Sequence, residues 1–305
     1  MKEKVLIGPS SFAALDRSPI EKLVEGGFDI IENPYGRKLT KQELVELLPG
    51  IIGLIAGLET LDEEVMRKSE LKVISRCGSG ISNVDIKSAK KLGIKVYCTP
   101  YGPTRAVAEL TLGCLLTLIR QVPQADRALH ERRWDNRIGR QLKGMRVLII
   151  GYGRIGKTVG DLLKAFEVEV LICDPAYFEN DGYPRSMNLH SALPQADVIT
   201  LHCDGEEQLL GPREFSLMKP RVYLLNAARG GLIDETALCQ ALKSGQVAGA
   251  WIDTFDREPY EGSLTQYEQV LLTPHIGSYT YEGRLQMEMD AVQNLLEGFR
   301  EIEER

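Results

Sequence analysis

Val147-Leu148-Ile149-Ile150-Gly151-Tyr152-Gly153-Arg154-Ile155-Gly156 is the stretch whose reading decides the fold. A short apolar, β-branched run reads as a buried strand. It ends in a glycine turn, and a helical pattern follows from Ile155 to Phe166. In this setting Gly151 permits a tight turn, Gly153 lets a pyrophosphate approach the backbone, and Gly156 lets helix and strand pack closely. The phosphates would lie at the helix N-terminus, where unpaired N–H groups and the helix dipole favour an anion. The next strand pattern, Glu169 to Ile172, leads into Asp174. A carboxylate there accepts the ribose hydroxyls and repels a 2′-phosphate, which predicts NAD over NADP. A glycine turn with no ligand is the plain alternative. The strand before, the helix after and the acid at the end of the second strand weigh against it.

Strand patterns continue on the C-terminal side at 197–201, 222–225, 249–252 and 270–272. On the N-terminal side they fall at 5–7, 29–31, 53–56, 71–75 and 95–98. Helical patterns over 19–25, 40–48 and 85–92 separate the earlier ones. The rhythm is that of βαβ units, so the fold class expected is α/β with two parallel sheets, Rossmann-like or flavodoxin-like. Tyr101-Gly102-Pro103 is a turn-rich seam. A long helix is predicted from about Thr104 to Arg120, and after a break at Pro123 another over 124–132. The tail from 281 to 305 is a charged amphipathic helix. Leu285, Met289, Val292, Leu295, Leu296 and Phe299 recur at helical spacing and should dock on a core.

The chain has 305 residues, enough for two domains of roughly 100–200 residues each. A formal net charge of −6 gives no reason to expect nucleic acid or an anionic membrane as partner. No apolar run approaches the ~20 residues of a membrane span, and the N-terminal run is too short for a signal peptide. The six cysteines form no CxxC pair. They read as small core residues in a reduced, cytoplasmic protein, and no metal site is expected.

Three more segments follow strands of the second series, where sheet ends carry chemistry. They are Asn226-Ala227-Ala228-Arg229-Gly230-Gly231, Asp253-Thr254-Phe255-Asp256-Arg257-Glu258-Pro259 and Pro274-His275-Ile276-Gly277-Ser278. Arg229 suits a clamp on a carboxylate or carbonyl. Of the four histidines, His130 reads as exposed, His190 as a loop residue and His202 as a core or cofactor-rim residue. His275, in a turn ahead of a helix, is placed to donate a proton. Reduction of a 2-oxo acid needs a hydride to carbon and a proton to oxygen. His275 would supply the proton, Glu258 would favour the imidazolium and fix its tautomer, and Arg229 would hold the substrate. Asp253 would orient the nicotinamide carboxamide. The plain alternative for Glu258 and Asp253 is a solvated loop charge.

Together these segments resemble the D-isomer-specific 2-hydroxyacid dehydrogenases, including their D-3-phosphoglycerate dehydrogenase branch. The resemblance also rests on Arg76-Cys77-Gly78-Ser79-Gly80-Ile81-Ser82-Asn83-Val84-Asp85 and Val107-Ala108-Glu109-Leu110. It implies a discontinuous substrate domain, 1–100 plus 282–305, and an NAD-binding Rossmann domain, 101–281, that carries homodimer contacts. It implies that the backbone of Cys77 to Gly80 binds substrate carboxylate, that Arg76, Gly78, Ser79 and Gly80 contact the substrate, and that Ser79 also meets the cofactor. Arg154 and Ile155 would contact the diphosphate. Ala227, Ala228, Gly277 and Ser278 would line the nicotinamide side, with Cys203 on a cofactor-side loop.

Three departures stand out. The loop from Cys203 to Gln208 lacks the proline and threonine or serine usual there and is short. Ala56-Gly57-Leu58 lacks the arginine typical of phosphoglycerate enzymes, although Arg76 is retained and Arg137 is a candidate to serve instead. The chain stops at 305 without the C-terminal regulatory domain of many relatives, so serine feedback is not expected. The expected function is an NAD-dependent dehydrogenase or 2-oxo acid reductase with a small D-2-hydroxy acid as substrate, 3-phosphoglycerate among the candidates. The alternative is a non-enzymatic, NAD(H)-responsive binding protein of the corepressor type. A hydrolytic role for Cys203 has no base beside it.

Overall fold

A computed structural model describes residues 2–176, 186–205 and 207–304. The chain divides into two compact units, Met1–Pro103 with Ser278–Arg305, and Thr104–Gly277. Residues 101–103 and 278–281, assigned above to the nucleotide-binding domain, fall in the first unit.

The first unit runs β1 (Lys4–Ile7), α1 (Ser18–Glu25), β2 (Asp29–Glu32), α2 (Lys41–Leu47), β3 (Ile51–Ala56), α3 (Glu63–Arg67), β4 (Val73–Arg76), α4 (Ile86–Lys91) and β5 (Lys95–Cys98). All pairings are parallel and the sheet order is β2-β1-β3-β4-β5. Each crossover is a helix with a clear start signal. Thr40 and Glu43 form a reciprocal capping box at α2, while Asp62 and Asp85 cap α3 and α4. After α5 (Gly102–Ile119), which leads the chain into the second unit, the tail returns as α11 (Tyr281–Glu303). Thr280 caps α11 by accepting from the Gly283 N–H. Val292, Leu295 and Phe299 are buried against Val5, Ile7 and Val73, and Phe299 lies 5.0 Å from the Phe28 ring. Of the six residues expected to dock, Leu285, Met289 and Leu296 are only partly buried; Met287 and Ala291 supply the rest of the buried stripe.

The second unit continues with α6 (Val122–His130), β6 (Arg146–Ile150), α7 (Arg154–Lys164), β7 (Glu169–Cys173), α8 (Leu189–Ala192), β8 (Val198–Leu201), α9 (Pro212–Leu217), β9 (Val222–Asn226), α10 (Glu235–Ser244), β10 (Val247–Ile252) and β11 (Val270–Leu272). Its parallel sheet has the order β11-β10-β9-β8-β6-β7. Both faces are covered, so the central strands are buried along their length, Trp251 completely. The order reverses between β6 and β8, which puts the ligand crevice at the ends of those strands. Some local expectations shift. The long helix starts two residues early, at Gly102, and β4 begins at Val73. His190 lies in α8, not in a loop, with its ring 2.9 Å from Glu214. α3, α8, α9 and α10 were not foreseen.

Candidate active site

The glycine turn after β6 is built as its sequence requires. Gly151 has φ +87°, and a Cβ there would lie 2.4 Å from the Cys203 backbone nitrogen. Only glycine fits, because the chain after β8 passes against it. A Cβ on Gly156 would lie 2.1 Å from the Gly151 carbonyl, so α7 and the turn pack backbone to backbone. Gly153 differs: a Cβ there would meet nothing within 4 Å. That open space faces the first turn of α7, where Gly153 provides no side-chain cap. An empty approach to a helix N-terminus fits a diphosphate. Asp174 accepts from the Tyr152 N–H at 2.6 Å and from the Ala176 N–H at 2.8 Å. It is half-buried beside the turn. These residues therefore fit a dinucleotide, with Gly151 to Gly156 for its phosphates and Asp174 for a ribose. Arg154 is exposed and Ile155 half-buried on the first turn of α7. Cys203 is partly buried. Burial, the largest influence, lifts its thiol to about 11, so it is a poor nucleophile near neutrality.

Three turns of the second unit carry the expected catalytic group. Asn226, at the end of β9, accepts from the Ala228 N–H at 3.0 Å and donates to the Arg229 carbonyl at 2.9 Å. This locks the segment holding Ala227, Ala228 and Arg229. The Arg229 guanidinium donates to the Ala228 carbonyl at 2.7 Å. A Cβ on Gly230 would lie 2.0 Å from the backbone of Phe255, so the Arg229 turn abuts the turn that leads to Glu258. The Glu258 carboxylate accepts from the Phe255 N–H at 3.1 Å and meets His275 Nδ1 at 3.0 and 3.1 Å. Burial, the largest influence, raises the Glu258 pKa. The His275 and Phe255 hydrogen bonds, with the charges of His275 and Arg229, together hold it below the usual value. The His275 ring stays 42% exposed, open to a ligand.

Asp253 is not a solvated loop charge. It is 1% exposed and accepts from Thr273 Oγ1 at 2.5 Å and from the N–H groups of Ile276 and Gly277, each at 2.9 Å. Its carboxylate pins the turn in which His275 takes φ +53°. The alternative of a solvated charge is thus corrected for Asp253, whose partners lie in the neighbouring strand end. Of the other histidines, His130 is exposed on α6. His202 is half-buried and bonded to Thr200, and the burial of its ring pushes its pKa down to about 3.

In the first unit, Gly78 donates its N–H to Thr99 Oγ1 at 2.6 Å and accepts from the Thr99 N–H at 3.0 Å. Arg76 ends β4 and donates to the Cys77 carbonyl at 3.1 Å. Ser79 is exposed and Gly80 half-buried in the same loop, at the carboxyl end of the sheet. Ser278 belongs to this unit, where its carbonyl accepts from the Thr280 N–H. Arg137 is in the second unit and pairs with Asp135. Among the described residues, no cluster of three or more potential metal-ligating His, Cys, Asp or Glu side chains exists.

Residues 112–277 match the profile of the D-isomer specific 2-hydroxyacid dehydrogenase, NAD binding domain. The chain belongs to the D-isomer-specific 2-hydroxyacid dehydrogenase family, and its cofactor is NAD. Over 292 residues it is 35% identical to the D-3-phosphoglycerate dehydrogenase of Sus scrofa, covering 92% of this chain and 54% of that protein. The chain thus spans about half the length of the curated relatives it matches. Among solved structures, a protein from Thermus thermophilus superposes with a TM-score of 0.89 at 32% identity, covering 98% of this chain and 97% of that one. A glyoxylate reductase from Paecilomyes thermophila gives 0.86 at 26% identity, with 96% and 94% covered.

Proposed function

We propose that this protein is an NAD-dependent oxidoreductase that transfers a hydride between nicotinamide and carbon 2 of a D-2-hydroxy acid or its 2-oxo acid. The observation that carries this is the His275–Glu258 pair, held on a turn pinned by Asp253, with the Arg229 turn packed against that of Glu258. Bound nicotinamide supplies or accepts the hydride. His275, held through Nδ1, leaves its other ring nitrogen to give a proton to the 2-oxo oxygen, and takes it back in the oxidising direction. Glu258 holds the ring through Nδ1 and fixes its tautomer. Arg229 binds the carboxylate and polarises the carbonyl. In the first unit, the 78–80 loop is the substrate-carboxylate contact that the family resemblance implies, with Arg76 beside it in sequence. Asp174 on the ribose favours NAD over NADP.

The likeness to D-3-phosphoglycerate dehydrogenases makes phosphohydroxypyruvate the first substrate to assay. An absorbance assay of NADH with glyoxylate, pyruvate, hydroxypyruvate, phosphohydroxypyruvate and 2-oxoglutarate tests the reading. Turnover with one of them, lost in His275→Ala, is the expected result. NADH binding with no turnover on any of them overturns the reading in favour of an NAD(H)-responsive binding protein.

We also propose a homodimer. Leu129, Trp134 and Ile138 are 58%, 82% and 94% exposed, an apolar set for a second copy to cover. Light scattering at the mass of one chain would count against it. The free cysteines support a cytoplasmic setting, which fractionation checks.

A further inference from the structure

The first unit has the strand order in which the chain reverses direction between β1 and β3. In open parallel sheets the ligand crevice lies at the carboxyl ends of the strands flanking that reversal. Gly8-Pro9 follows β1 and Gly57 follows β3. These two loops meet: a Cβ on Gly57 would lie 3.1 Å from the Pro9 ring. A carboxylate lies between them. Oε1 of Glu59 is 2.9 Å from the place of a Gly8 Cβ and 3.2 Å from that of Gly57. Oε2 accepts from the Gly57 N–H at 2.5 Å. Asn83 fixes the turn from the other side, donating to the carbonyls of Gly57 at 3.1 Å and Glu59 at 2.6 Å. Glu59 is 1% exposed, and among the described residues no cation forms an ion pair with it.

A charge buried at the crevice of a substrate domain acts on whatever enters. It is screened by solvent far less than a surface charge. Burial, the largest influence, raises the Glu59 pKa. The N–H groups of Gly57 and of Glu59 itself, and the more distant charges of Lys38 and Arg76, favour its ionised form. β3 and β4 are adjacent in the sheet, so the carboxylate sits one strand away from Arg76 and the 78–80 loop. If a substrate has its carboxylate on that loop and runs along the row of strand ends toward β3, its other end comes beside Glu59. A phosphate there would face a buried negative charge, and the segment 56–58 holds no arginine to offset it.

We propose that Glu59 determines the charge preference of the substrate's distal end: its carboxylate rejects a phosphate and admits 2-oxo acids whose distal group is uncharged or cationic. This rests on the proposed dehydrogenase reading and narrows its substrate class.

The test compares kcat/KM for hydroxypyruvate and phosphohydroxypyruvate in the full chain and in Glu59→Gln. Glutamine keeps the shape and the acceptor for the Gly57 N–H but removes the charge. The expected preference of the natural protein for hydroxypyruvate is at least about a hundredfold, and glutamine should narrow it at least about tenfold. If glutamine prevents folding, Glu59→Thr provides the same comparison. Equal use of the two substrates by the natural protein overturns the proposal, as does a preference unchanged in the neutral variant. Titration calorimetry with glycerate and 3-phosphoglycerate separates this from failure of the dehydrogenase reading. With no turnover of any 2-oxo acid, tighter glycerate binding that levels in Glu59→Gln supports the role of Glu59. Equal binding of the two ligands, or binding of neither, overturns it.

Discussion

His275 stands on a turn that two other carboxylates define. Glu258 holds its ring through Nδ1, and Asp253 holds the backbone two residues further on. Replacing His275 by alanine removes the proposed proton donor but none of the glycine turn. The expected result is a fall in kcat of about 10²–10⁴-fold with NADH affinity retained, read by steady-state kinetics and fluorescence titration. Unchanged kcat would remove His275 from the chemistry. The sign of the pH effect follows from Glu258. Its pKa in the folded protein is below the ordinary 4.5, so the stability its ionised form contributes is present above that value. It is lost as pH falls through the depressed pKa. Carboxyl titration by NMR should give Glu258 a midpoint below 4.5, and Glu258→Gln should abolish this part of the acid sensitivity. The placement of His275 at a strand end is legible in sequence because histidines are few and this one follows a strand within Pro-His-Ile-Gly. The burial of Asp253 is not legible, since its partners Thr273, Ile276 and Gly277 come from the next strand end and its turn.

At the scale of elements, the docking of α11 depends on one ring and two glycines. Phe299 packs on Phe28, a Cβ on Gly53 would lie 2.9 Å from the Phe299 ring, and one on Gly298 would lie 2.7 Å from Val73. Phe299→Ala should therefore cost about 3–5 kcal/mol of stability, measured by denaturant unfolding. A loss under about 1 kcal/mol would mean that the helix is not part of this core. Strands were legible along the chain because buried parallel strands are continuous runs of valine, isoleucine and leucine. The missed helices are those whose apolar stripe is thin or short. α8, α3 and α9 have four to six residues, too few for a helical period to register. α10 has ten, but its buried side is Ala237, Leu238, Ala241 and Leu242, half of it alanine. Its end signals were present: Asp234 caps its first turn and Gly245 follows its last.

For the whole molecule, two compact units mean that unfolding need not be a single transition. The dinucleotide residues Gly151 to Gly156 and Asp174 all lie in the second unit. NADH at about 100 times its Kd should stabilise that unit by about 2.7 kcal/mol. Scanning calorimetry should show this as an upward shift of the transition that contains the second unit, and no shift would contradict the assigned fingerprint. The discontinuity of the first unit could not be drawn from periodicity alone. The tail pattern showed one apolar face but not which core received it, and that came only through the family resemblance.

Two kinds of glycine stand in the nucleotide-binding turn, and natural selection should treat them differently. Gly151 and Gly156 are confined by neighbouring backbone, whereas Gly153 borders empty space. In a library screened for abundance alone, alanine should disappear at 151 and 156 but survive at 153. Screened for growth that depends on the enzyme, it should disappear at all three. Position 153 would then be one where mutations leave a well-made but inactive protein which, in the proposed homodimer, pairs with active copies and dilutes their output.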